Sequence, residues 1–155
     1  NKDMMQIAIG QGTTGMTPVH LNMITNAIAN DGVLMKPYVI DFVENSMGSV
    51  VKQFSPSSEK RLISSEEAAA LKELMRGVVE EGTASRLKGL SYTAAGKTGS
   101  AEYNTVKGDS HAWFTGFAPV DDPKISVTII IEGAGSGGDF AVPIAKRIFD
   151  AYFQE

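Results

Sequence analysis

Near the middle of the chain lie three strand-like runs, at about residues 92–103, 111–117 and 125–131, and only "APVDDP" separates the last two. A parallel crossover needs a dozen or more residues. Connections this short therefore dictate neighbouring antiparallel strands. The closing stretch "DFAVPIAKRIFDAYFQE" places Ala141, Ala145, Ile148, Phe149 and Tyr152 on one helical face, with Lys146, Arg147 and Asp150 pointing elsewhere. Such a helix packs its apolar face on the sheet. The expected class is α+β, an antiparallel β-sheet packed with helices.

The upstream segments agree. In "TPVHLNMITNAIANDG", Thr17 is placed to cap a helix, Pro18 suits its first position and Gly32 follows its end. Val19, Met23 and Ala27, with Leu21, Ile24 and Ile28, form an apolar stripe at helical spacing. Two β-rich runs around "ENSMG" predict a hairpin over about 38–54, and "SPSSEKRLISSEE" reads as a polar loop leading into a further helix. Ser64 and Glu67 form a capping-box pair before Leu71, Leu74, Met75, Val78 and Val79, and Gly82 ends that helix.

A chain of 155 residues, 43% of them hydrophobic, is long enough for one sizeable core and short for two domains, so residues 1–155 are read as one unit. The net charge of −4 is spread along the chain, which argues against nucleic acid and anionic membranes as partners. The longest apolar run, "VTIII", is far below the roughly 20 residues of a spanning helix, so no membrane contact is expected of this segment. Cysteine is absent, which removes disulfides, zinc-thiolate sites and thiol catalysis.

Two phosphate-binding patterns fail on context. "GKT" at 96–98 would need a glycine where Ser91 stands and a helix directly after Thr98, but "GSAEYNTVKGDSHAW" has no helical period. "GAGSGG", with Gly133, Gly135 and Gly138, follows a strand and precedes a helix, as a dinucleotide fingerprint would. That fingerprint also needs a second parallel strand bearing an acid some 20 positions on, and the chain ends at Glu155. His20 and His111 lie far apart with no ligand spacing, so no metal or other cofactor is expected. There remains "KTGS" on a strand, where Lys97 taken alone reads first as an edge residue that discourages aggregation.

The ordered set "IGQG", "TPVHLNMITNAIANDG", "KPYVI", "EGTA", "AAGKTGSAEY" and "HAWFTGFAPVDDPKISVTIIIEG" resembles the C-terminal portion of penicillin-binding protein transpeptidase domains, most of all the class B enzymes. The resemblance implies an exported, membrane-anchored D,D-transpeptidase that cross-links peptidoglycan and is acylated by β-lactams. Its place would be the extracytoplasmic face of the bacterial membrane, with the anchor outside this segment. The implied partners are the D-Ala-D-Ala end of a stem peptide, β-lactams, and an upstream part of the same protein. Carried over by position, Lys97 supplies positive field, Thr98 and Ser100 offer hydroxyls to the substrate carboxylate, and Gly99 allows close approach. The N–H of Ser100 would be an oxyanion donor. Many relatives have Thr where this chain has Ser100.

The family also requires S-x-x-K, which bears the nucleophilic serine, and S-x-N. S-x-N does not occur here. S-x-x-K occurs at Ser49/Lys52, Ser57/Lys60 and Ser85/Lys88, none in the setting of a buried helix start. The expectation is a C-terminal portion lacking the upstream nucleophile and inactive alone. A β-lactam-sensing module and a serine β-lactamase stay open as alternatives.

Overall fold

The computed structural model describes residues 2–8, 10–12, 15–103 and 110–154. The elements run α1 (Lys2–Ala8), α2 (Pro18–Ala29), β1 (Val33–Met35), β2 (Phe42–Glu44), β3 (Val50–Gln53), β4 (Ser58–Arg61), α3 (Ser65–Glu80), β5 (Ala95–Glu102), β6 (Ser110–Ala118), β7 (Ile125–Ile131) and α4 (Val142–Phe153). A short 3₁₀ turn (Ser85–Leu87) follows α3, and a π-turn (Gly137–Ala141) leads into α4.

The principal sheet has the order β5-β6-β7 and is antiparallel throughout, as the short connections require. Alternation along β6 divides the core. Phe114 joins Ala141, Val142, Ala145 and Phe149 on the α4 side. Phe117 lies with Ala29, Met75 and Val120 on the other. Phe114, Phe117 and Phe149 are the largest fully buried side chains.

The helix starts follow their sequence signals. Thr17 Oγ1 accepts the N–H of His20 at 3.2 Å with Pro18 in the first turn. The Ser64/Glu67 box is reciprocal, at 3.1 and 2.8 Å. After α2 the chain reverses through Asp31 (φ 51°) and Gly32 (φ 85°), left-handed geometry that glycine adopts without a Cβ penalty.

Three expectations need correction. Ser58–Arg61 is a strand, β4, paired with β1, and not the expected polar loop. Every residue of β4 is exposed, so no apolar alternation betrays it, and main-chain pairing alone makes the strand. The hairpin is real but shorter than 38–54, with β2 and β3 pairing from Phe42 to Gln53. In α2 the buried residues are Thr25, Ala27 and Ala29, while Val19 is 62% exposed. Small side chains let this helix approach the sheet closely, and the Thr25 hydroxyl is satisfied there by Thr115 Oγ1 at 2.6 Å.

Tyr92 fastens α4 to the segment before β5. Its ring stacks on Phe153 (4.6 Å between centroids) and meets Phe149 edge-on (6.0 Å), and its hydroxyl donates to Asp150 at 2.7 Å. Lys146, donating at 2.6 Å, and then the Tyr92 hydroxyl hold the Asp150 carboxyl below its usual range. Burial, and then the Asp150 carboxylate, push the Tyr92 phenol well above its ordinary value. A phenol raised on folding contributes stability that is intact below the unfolded value of about 10 and is lost as pH rises above it. Tyr92→Phe should therefore cost about 1 kcal/mol at neutral pH and flatten the loss of stability above about pH 10, read by chemical denaturation across pH.

Candidate active site

Among the described residues no strand pairs with the outer edge of β5. Lys97, Thr98, Gly99 and Ser100 sit side by side on it, opposite Thr115, Phe114, Trp113 and Ala112 of β6. The Ser100 carbonyl accepts Gln11 Nε2 at 3.1 Å, and the Thr98 carbonyl accepts Lys97 Nζ at 2.7 Å. In an antiparallel strand the N–H and C=O of one residue point the same way. The backbone groups of Thr98 and Ser100 thus face outward, away from β6.

Lys97 and Ser100 are exposed, and Thr98 and Gly99 are half-buried. Residues 97–101, with Gln11, Met16, Leu21 and Trp113, border an open pocket of about 380 Å³. Thr115, directly across from Lys97, belongs to a chain of hydroxyls: Thr25 at 2.6 Å, Thr128 at 2.7 Å, and from Thr128 to Asn22 Oδ1 at 3.2 Å. That chain ties α2 to the sheet beneath the lysine, with its buried polar atoms satisfied.

Sequence reasoning assigned no role to two residues that meet this strand. Thr83 Oγ1 lies 2.5 Å from Thr98 Oγ1 and Gln11 reaches Ser100, so the quoted "EGTA" and "IGQG" segments were the available signals. Thr83 packs closely against Gly138, where a Cβ would come within 2.7 Å of the Thr83 carbonyl oxygen.

None of the S-x-x-K pairs opens a helix of the sheet core. Ser49 precedes β3, Ser57 precedes β4, and Ser85 starts the 3₁₀ turn, all exposed. Lys88 is committed to Glu80, donating to its carbonyl at 2.9 Å and lying 3.5 Å from its carboxylate. The histidines do not converge: His111 stacks on Tyr103 and accepts the Gly133 N–H on Nδ1 at 3.0 Å. Among the described residues no three His, Asp or Glu side chains gather as metal ligands, and no helix is long and apolar enough to cross a membrane.

The family model described as the penicillin binding protein transpeptidase domain matches residues 1–150. The chain belongs to this transpeptidase family. It is 32% identical over 155 residues to the peptidoglycan D,D-transpeptidase PbpA of Mycolicibacterium smegmatis, covering 96% of this chain and 31% of that protein. To the peptidoglycan D,D-transpeptidase MrdA of Haemophilus influenzae it is 30% identical, covering 99% of this chain and 26% of the relative. Among solved structures, penicillin-binding protein A of M. tuberculosis as its imipenem acyl-enzyme complex superposes with a TM-score of 0.84 at 30% identity, over 95% of this chain and 33% of that one. The penicillin G acyl-enzyme complex of the same protein gives 0.85. The chain thus spans about a third or less of the length of these relatives. The α+β architecture expected from the sequence is that of the penicillin-binding transpeptidases.

Proposed function

We propose that this chain is the C-terminal portion of a serine-type peptidoglycan D,D-transpeptidase, supplying the wall that clamps the substrate carboxylate and donates to the oxyanion. The observation that carries this reading is the outer edge of β5, which no strand covers among the described residues and which carries the Lys97 amine, two hydroxyls and outward backbone groups on four consecutive residues. An extended peptide adds to such an edge as a further strand, which aligns its scissile carbonyl. Lys97 provides the positive field, Thr98 and Ser100 donate to the terminal carboxylate, and the Ser100 N–H receives the developing oxyanion. A donor of that kind is worth about 2.7–4 kcal/mol in the transition state. A D-Ala-D-Ala stem peptide and the β-lactams that mimic it are the substrate class, met on the extracytoplasmic side of the membrane. The nucleophilic serine and its lysine are assigned to an upstream segment of the same protein, because none of the three S-x-x-K pairs here opens a core helix.

Intact-mass measurement with benzylpenicillin tests the assignment. One acyl adduct is expected on the full-length protein and none on this chain alone; an adduct on the chain alone would place the nucleophile within it. Ser100→Thr keeps both hydroxyl and N–H, so acylation of the full-length protein should change by less than about tenfold. Ser100→Ala removes only the hydroxyl and should cost about 1.5–3 kcal/mol, the scale of a hydrogen bond to a charged group.

A further inference from the structure

Both outward carbonyls at the centre of the β5 edge are already occupied by side-chain donors, Lys97 Nζ on Thr98 and Gln11 Nε2 on Ser100. An added strand needs those acceptors for its own amide N–H groups. Lys97 reaches the carbonyl of its own neighbour. Gln11 arrives from a different part of the chain, 89 residues away in sequence.

The backbone around Gln11 is held by hydrogen bonds, while its side chain is partly exposed. The Gln11 N–H donates to Gln6 O at 2.8 Å, and the Gly10 N–H to Ile7 O at 3.0 Å, closing the end of α1. Gly10 (φ 76°) and Gly12 (φ 82°) make the left-handed reversals on either side, a termination that glycine suits. Gln11 is partly exposed at the pocket wall, so its carboxamide can exchange the Ser100 carbonyl for water by rotating about its own χ angles.

We propose that Gln11 is a specificity-determining residue, a placeholder whose carboxamide holds the Ser100 carbonyl until an amide N–H of the acyl donor replaces it. This rests on the acyl-transfer reading above. The consequence is a bias between two classes of acyl donor. One with an acylamino N–H opposite Ser100 must displace Gln11 to make its own bond. One without that N–H has no reason to displace it and reacts with Gln11 in place.

The test compares second-order acylation of the full-length protein by benzylpenicillin, which carries the acylamino group, and by a penam unsubstituted at C6. Gln11→Met keeps length and flexibility but has no donor, and Gln11→Ala removes the side chain beyond Cβ. Both variants should raise the benzylpenicillin rate by about two- to tenfold, the scale of one net hydrogen bond, and leave the unsubstituted penam within about twofold. A structural tie would instead lower the melting temperature and slow both probes alike. Equal change with both probes, or slower acylation by benzylpenicillin alone, overturns the placeholder and leaves the acyl-transfer reading standing. No adduct with either probe on the wild-type protein removes that reading and this inference with it.

Discussion

Gly137→Ala is expected to destabilise the fold by about 1–3 kcal/mol or more and to lower acylation with it. A Cβ at this position would stand 2.2 Å from the carbonyl oxygen of Trp113 and 2.6 Å from that of Gly99, both backbone atoms with no rotamer in which to retreat. The π-turn would have to lift from β5 and β6, moving the residues between Lys97 and Ser100. For a unit of this size each kcal/mol lowers the melting temperature by about 2–4 °C. Gly77→Ala is the internal contrast. It lies inside α3 with nothing within 4 Å of an added Cβ, and should stabilise by about 0.5–1 kcal/mol through helix propensity. A scan in which the two substitutions behave alike would contradict the close packing at Gly137.

Lys97→Ala should act on chemistry and leave the fold alone. The side chain is exposed and, among the described residues, its hydrogen bond is to the neighbouring Thr98 carbonyl, so the melting temperature of the full-length protein should hardly move. Acylation by benzylpenicillin should fall at least about ten- to a hundredfold, because the positive charge assigned to the substrate carboxylate is lost. A lysine that only guards a strand edge would show the reverse, with unchanged acylation and more aggregation.

The parts of the fold legible in the sequence were those whose signal is local. Thr17, Pro18 and the Ser64/Glu67 pair act within one helical turn, and the brevity of "APVDDP" leaves antiparallel pairing of β6 and β7 as the only connection. On α2 Ala27 is buried and Ile28 packs against the core as the apolar stripe predicts, whereas Thr25 is buried by virtue of Thr115, 90 residues away, which no apolar period encodes. Strand β4 was missed because "SEKR" has no buried face, so its pairing with β1 rests on backbone bonds that leave no mark on side-chain composition. At the site, "KTGS" was readable as part of a strand from the run at about 92–103, and as a site motif only through its resemblance to the family. Its companions were not: Thr83 and Gln11 reach it from 15 and 89 residues away, and their side chains have meaning only once the chain has folded.

The carboxylate clamp is tested most directly by pairing benzylpenicillin with its methyl ester on the full-length protein. The ester keeps the reactive ring and loses the charge that Lys97 and Ser100 are assigned to hold. Second-order acylation by the acid should fall at least about tenfold in Lys97→Ala and in Ser100→Ala, while acylation by the ester, already slow, should be much less sensitive to either substitution. Equal slowing of acid and ester by both substitutions would contradict the clamp and return Lys97 to the role of a structural residue on an edge strand.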